Sequence, residues 1–133
     1  MSDWIPIEAK GGMRHSNGPS AVRAGDFVFL SSVKGVDPKT QVSDPDVDEQ
    51  LRQAMANIDV VLEAAGLDKG DIVKVTVFLE GSGENRRRLD RAWGDYFEAN
   101  PPARATVSVE SIGVESDPSV ALFDVVAYRR QGT

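Results

Sequence analysis

Cysteine is absent from this chain of 133 residues, and histidine occurs once, as His15. Without cysteine there is no disulfide framework, no thiolate nucleophile and no cysteine-based metal site. A single histidine makes no metal cluster by itself, and it has no plausible nucleophile partner for a catalytic triad. We therefore expect no bound metal.

Basic charge is also scarce, because 15 Lys and Arg stand against 21 Asp and Glu and the net charge is −6. Surfaces that bind nucleic acid or anionic membranes need a positive field, so we expect neither partner. The only basic cluster, Arg86-Arg87-Arg88, lies among acidic residues and is interpreted as a solvated helix face. No apolar run reaches the ~20 residues of a bilayer span and the N-terminus lacks a signal-peptide pattern, which favours the cytoplasm.

The residues that are present predict one globular domain over positions 1–133, with 41% hydrophobic residues. WIPIE (4–8) is a candidate first strand, and the glycine-rich stretch 11–19 is a candidate loop. SAVRAGDFVFLSSV (20–33) predicts a hairpin that turns around Ala24-Gly25-Asp26.

Two amphipathic helices follow from apolar residues spaced three and four apart. Asp44 as N-cap and Pro45 in the first helical position begin the first helix, and Gly66 ends it. The second helix runs from Asn85, and its apolar stripe is Leu89, Ala92, Trp93, Tyr96 and Phe97.

Three more strands alternate with these helices. DIVKVTVFLE (71–80) places Val73, Val75, Val77 and Leu79 on one apolar face. The last strand, VALFDVVAY (120–128), is apolar on both faces and must be covered on both sides. Two helices cover only one face of a sheet of five to six strands, so we expect another copy of the chain to cover the other.

The remaining strand, in NPPARATVSVE (100–110), contains Arg104. The prolines exclude a helix, and the alternation places Arg104 on the polar face. The alternation alone favours a solvated charge at an open sheet edge. Asp124 offers a second interpretation, because a carboxylate in a strand covered on both sides needs a partner. The planar guanidinium of Arg104 matches the geometry of a carboxylate and could be that partner. These observations support equally two roles for Arg104, in a buried salt bridge with Asp124 or in binding the carboxylate of a ligand.

The order of these segments resembles the Rid (YjgF-type) family of reactive-intermediate deaminases. The likeness extends from Gly18 to Tyr128, and its most specific pieces are VRAGDFVFLSS, EQLRQAMANIDVVLEAAG, DIVKVTVFL and PPARATV. The resemblance implies a chorismate-mutase-like α+β fold and a homotrimer with an active site in each cleft between subunits. It also implies hydrolysis of 2-imino and 2-enamino acids to 2-keto acids and ammonia, without cofactor or metal.

The resemblance assigns Arg104 to the substrate carboxylate and Asp124 to the carboxylate that positions water, where the family has a glutamate. Gly18 or Ser20 stands where the family has a tyrosine, Ser31-Ser32 replace its Ser-Gly, and Asp90 replaces its asparagine. Backbone groups near Ser32 and Thr106 are expected to bind the substrate carboxylate together with Arg104. The positions expected to bind substrate beside Arg104 are Gly18, Ser20, Ser31, Ser32, Asp90 and Thr106.

These residues favour a hydrolytic deaminase of small 2-imino or 2-enamino carboxylates, specialised for a non-standard substrate by the altered pocket. The main alternative is a non-catalytic trimer that binds small carboxylates as a sensor. A ribonuclease, which the family also includes, fits poorly with a net charge of −6.

Overall fold

The computed structural model describes residues 3–81, 83–113 and 117–129. Six strands, two α-helices and a short 3-10 helix (Lys69–Asp71) occupy these residues. The longer elements in chain order are β1 (Trp4–Ile7), β2 (Ala21–Ala24), β3 (Phe27–Leu30), α1 (Val47–Ala64), β4 (Ile72–Glu80), α2 (Gly83–Phe97), β5 (Ala103–Val109) and β6 (Ala121–Tyr128).

The described strands form one mixed sheet in the order β1-β2-β3-β6-β4-β5. Its neighbouring strands are antiparallel, except for β4 and β5, which are parallel and are joined through α2. The predicted hairpin is β2–β3, and Gly25 adopts a φ of 62° at its turn, which a residue without a side chain reaches at little cost. The α+β class predicted from the sequence is confirmed.

The start of α1 differs from its prediction by two residues. Asp46, not Asp44, is the N-cap, and its side chain accepts a hydrogen bond from the Asp48 amide at 2.9 Å. Asp44 accepts from the Asp46 amide at 2.8 Å and so holds the turn before the helix. Both aspartates have the capping chemistry, and Pro45 favoured Asp44 in the sequence, which is wrong by two residues. Gly66 ends α1 as predicted, with a φ of 75°.

The hydrophobic core lies between the two helices and one face of the sheet. Strand β4 supplies Val75, Val77 and Leu79 as predicted, but Val73 is 42% exposed. A register irregularity between Ile72 and Lys74 shifts the alternation, so Ile72 takes the buried position instead. Strand β6 turns Ala121, Phe123, Val125 and Ala127 into the same core.

The other face of the sheet has no covering element in the described ranges. Phe27 and Phe29 are 43% and 45% exposed there, and Val126 and Tyr128 pair with them on β6. The prediction that the helices leave one face uncovered is therefore confirmed for these residues. Its corollary, that a second copy covers this face, stays a prediction.

Candidate active site

Arg104 lies on the helix side of the edge strand β5. It is paired with the buried Val75 of β4, and residues opposite each other in a parallel pair point to the same face. Its Nη2 donates a hydrogen bond to Asp90 Oδ1 at 2.6 Å, and its guanidinium carbon lies 5.0 Å from the centroid of the Trp93 ring. The side chain is 17% exposed, so the interpretation as a freely solvated charge is wrong.

Both partners of Arg104 come from α2. Asp90 and Trp93 are three residues apart and therefore lie on the same face of the helix, which here is turned toward β5. Trp93 is anchored in turn against Phe97, with 4.5 Å between the ring centroids. Asp90 also lies 3.7 Å from Arg86 Nε, so positive and negative charges alternate along Arg86, Asp90 and Arg104.

Thr106 follows Arg104 on the same face of β5. Its Oγ1 is buried and has no hydrogen-bond partner among the described residues. A cavity of about 220 Å³ borders it, between the end of β4 and the start of α2. Its lining residues are Leu79, Gly81, Gly83, Arg86, Thr106 and Ser108. Arg104, Asp90 and Thr106 thus form one group, which we call the β5–α2 group.

Asp124 does not belong to this group within one chain. It is exposed and pairs with Thr76, on the uncovered face of the sheet. The expected Arg104–Asp124 pair is therefore wrong within a single chain. The reason is the alternation of β6, in which Phe123 and Val125 take the core side and turn Asp124 away from the helices.

Gly18, Ser31 and Ser32 lie at a second place, around a cavity of about 420 Å³ between the loop before β2 and the end of β3. Ser31 Oγ donates to the Pro19 carbonyl at 2.7 Å. Ser20 is buried and accepts a hydrogen bond from the Ala9 amide at 3.0 Å, which gives it a structural contact outside this lining.

His15 also lines this second cavity, although the sequence gave it no role there. Its Nε2 donates to the Ser32 carbonyl at 2.7 Å, which leaves Nδ1 as an acceptor in the neutral ring. Nδ1 is buried and unpartnered among the described residues. The glycine-rich loop around His15 was the only sequence signal for its position.

Lys34 also lines this second cavity, but its charge is neutralised. Its Nζ lies 2.6 Å from Asp117 Oδ2. Burial raises the pKa of Asp117, yet the hydrogen bonds from Lys34 and Ser119 outweigh that effect and hold the pKa below its ordinary value. Asp117 therefore stays ionised at neutral pH and pairs with Lys34.

The two groups do not meet within one chain. Strands β3 and β5 are separated in the sheet by β6 and β4, which amounts to three strand spacings or roughly 14 Å. The described residues also contain no cluster of three or more His, Asp or Glu side chains placed to hold a metal ion. No helix among them is long and apolar enough to cross a membrane.

A family model described as Endoribonuclease L-PSP matches residues 15–120, which is more than half of the chain. The solved structure of the YjgF gene product of Escherichia coli superposes with a TM-score of 0.83 at 29% identity, over 95% of this chain and 99% of its own. The chain belongs to the Rid family. The likeness stated from the sequence is thereby confirmed.

Rid-family relatives with curated names extend the comparison. A RutC family protein of Pyrococcus horikoshii is 36% identical over 112 residues, which cover 82% of this chain and 84% of the relative. The 2-iminobutanoate/2-iminopropanoate deaminase of Salmonella typhimurium is 48% identical over 91 residues, which cover 66% of this chain and 70% of the relative. Some Rid-family members are thus named as imine deaminases.

Proposed function

We propose that this protein hydrolyses small 2-imino or 2-enamino carboxylates to 2-keto acids and ammonia. The observation that carries the proposal is Arg104, whose guanidinium is oriented by Asp90 and Trp93 at the edge of the sheet. A planar guanidinium fixed in this way suits bidentate binding of a carboxylate. The deaminase name of the Salmonella typhimurium relative supports the same chemistry.

The reaction needs few groups. Water adds to the carbon of a protonated imine, the carbon–nitrogen bond breaks, and the nitrogen leaves as ammonium while a carbonyl forms. The protein must hold the substrate carboxylate, orient one water and transfer protons. We assign the first task to Arg104, with backbone groups near Ser32 and Thr106 beside it, and the other two tasks to Asp124. No cofactor or metal enters this scheme.

The positions of these residues favour a site shared between copies. Arg104 lies on the helix side of β5, whereas Asp124, Ser31 and Ser32 lie at other places in the same chain. We therefore propose a homotrimer in which Arg104 of one copy meets Asp124 of a second copy. The uncovered apolar face of the sheet supplies the surface that such a contact needs.

Carboxylates neutralise the arginine triplet on α2, which counts against nuclease activity. Arg87 pairs with Glu84 at 2.8 Å, and Arg88 pairs with Asp48 at 2.7 Å. A track for phosphates needs unpaired positive charge. The triplet is therefore better interpreted as the solvated helix face expected from the sequence, with ion pairs that the sequence did not predict.

Ammonia release from freshly generated 2-iminobutanoate tests the proposal. We expect the protein to accelerate hydrolysis over the uncatalysed rate, and Arg104→Lys to lower kcat/KM at least tenfold, because lysine keeps the charge but loses the planar fork. Arg87→Lys, on the exposed face of α2, is the matched control and should leave the rate unchanged.

Two other results would change the assignment. Tight binding of 2-oxobutanoate without any acceleration would identify a non-catalytic carboxylate binder instead of an enzyme. If Arg104→Ala unfolds the protein while its folded fraction binds 2-oxobutanoate normally, Arg104 is a structural ion-pair residue and the proposal fails.

A further inference from the structure

Arg104, which we propose binds the substrate carboxylate, is already ion-paired with Asp90 before a ligand arrives. Asp90 Oδ1 lies 2.6 Å from Arg104 Nη2, so one nitrogen of the guanidinium already has a carboxylate partner. The Asp90 side chain is 54% exposed, compared with 17% for Arg104. A ligand that reaches Arg104 from solvent therefore also meets the Asp90 carboxylate.

This arrangement distinguishes ligands by the charge beside their carboxylate. A 2-keto acid brings only a negative carboxylate, which Asp90 repels while Arg104 attracts it. A 2-iminium or 2-ammonium acid carries a positive nitrogen about 3 Å from its carboxylate oxygens. That spacing matches the separation of opposite charges in the Arg104–Asp90 pair, so both ends of the ligand face an opposite charge.

We propose that Asp90 makes this site select zwitterionic 2-iminium and 2-amino carboxylates over 2-keto acids. The inference rests on the proposed function, and it adds a specificity-determining role for a residue of α2. Hydrolysis removes the positive nitrogen, so the 2-keto acid product loses its attraction to Asp90. The same residue therefore favours substrate binding and product release.

Arg86 offers the main competing arrangement. Its Nε lies 3.7 Å from Asp90 Oδ1, so arginines flank the aspartate on both sides. A dicarboxylate would use Arg86 and Arg104 together, and Asp90 would then oppose binding. Succinate is the probe for this outcome.

Calorimetric titration of the full-length protein with two ligands of one carbon skeleton tests the inference. The ligands are 2-aminobutanoate, which is zwitterionic, and 2-oxobutanoate, which is only anionic. We expect Asp90→Asn to weaken 2-aminobutanoate about tenfold and to tighten 2-oxobutanoate several-fold, because one nearby charge is removed. The ratio of the two Kd values within one variant is insensitive to the fraction of folded protein.

Asp95→Asn is the matched control, since it removes the same charge from the same helix. Asp95 is exposed and lines the groove between α1 and α2, and it makes no contact with Arg104 among those described. We expect this variant to leave the Kd ratio unchanged. In turnover assays, Asp90→Asn should raise KM for 2-iminobutanoate and strengthen inhibition by 2-oxobutanoate, whereas Asp95→Asn should do neither.

Other outcomes overturn the inference and are distinguishable from failure of the proposed function. An unchanged Kd ratio in Asp90→Asn, with imine hydrolysis by the native protein intact, refutes the role of Asp90 alone. Succinate binding tighter than both monocarboxylates, and tighter still in Asp90→Asn, shows a dicarboxylate site and also refutes it. Absence of both ligand binding and imine hydrolysis in the native protein overturns the inference and the proposed function together.

Discussion

Arg104 is held from two directions by a single helix. Asp90 fixes one nitrogen of its guanidinium, and the guanidinium carbon lies over the Trp93 ring. An arginine that is already oriented loses less conformational freedom when a carboxylate binds, so more of the interaction appears as affinity. Because Asp90 and Trp93 are three residues apart on α2, both contact Arg104 and orient its guanidinium before a ligand binds.

Asp124 carries the proposed water activation, and its charge can be removed with little change in shape. We expect Asp124→Asn to lower kcat on 2-iminobutanoate by about 10²–10⁴-fold, the usual range for a general acid–base group. Binding of 2-oxobutanoate should persist, since Arg104 is intact. Stopped assays of ammonia release, together with calorimetry, measure both quantities on the same preparation.

The longer Asp124→Glu variant serves as the second half of that experiment. Higher activity on 2-iminobutanoate would indicate that the native aspartate makes room for a larger substrate. If both substitutions leave hydrolysis unchanged, water activation lies elsewhere and the assignment of Asp124 is refuted.

The sequence predicted which residues share a face of β5 with Arg104, but it predicted neither that the helices cover this face nor the partner of Arg104. Alternation placed Arg104, Thr106 and Ser108 together on the polar face, and the structure agrees. The partner depends on which face of the sheet the helices cover, and β6 is apolar on both faces, so its pattern does not answer that question. The sequence therefore predicted a buried Asp124, whereas Asp124 is exposed in a single chain. It did not identify Asp90 as the partner of Arg104.

At the element scale, apolar periods, turn residues and a continuous apolar run together predicted both helices and all the strands found in the described ranges. Their ends were harder to predict, because Asp44 and Asp46 offer the same capping oxygen and only the backbone geometry separates them. The β4 irregularity at Ile72–Lys74 was also unpredictable, since it depends on pairing with β6. Local chemistry predicted the elements, whereas backbone geometry decided the cap and pairing with β6 decided the irregularity.

The chain between β3 and α1 is attached closely to the helix. Asn57 Nδ2, on α1, donates to the carbonyls of Lys34 and Val36 at 2.9 and 2.8 Å. Gly35 lies between them, and a Cβ at this position would overlap the backbone carbonyl of Gln50. Close approach of this segment to α1 therefore requires glycine.

Gly35→Ala should destabilise the fold by about 2–4 kcal/mol, because the helix backbone must move to admit a methyl group. Gly94→Ala is the matched control within α2, where an added Cβ meets nothing within 4 Å. It should stabilise the protein by about 0.5–1 kcal/mol, since alanine is the better helix former. Urea unfolding followed by circular dichroism measures both, and a Gly35→Ala variant as stable as the native protein would contradict the close packing.

For the whole molecule, the uncovered sheet face and the separated site residues lead to the same expectation. Phe27 and Phe29 expose apolar rings beside Val126 and Tyr128, on the face that also carries Asp124. We expect a homotrimer in solution that buries this face. Sedimentation at micromolar concentration would reveal it, and a stable monomer would contradict both the assembly and the shared site.

Complementation between inactive variants tests whether the site is shared. Arg104→Ala and Asp124→Asn should each be nearly inactive alone. In co-expressed mixed trimers, an Asp124→Asn copy still supplies Arg104, and an Arg104→Ala copy still supplies Asp124. Random assembly at equal amounts should then restore about a quarter of the sites, because each site needs one particular arrangement of the two copies. If both residues act from the same copy, no mixture restores activity, and ammonia release from the mixed trimers stays at the level of the separate variants.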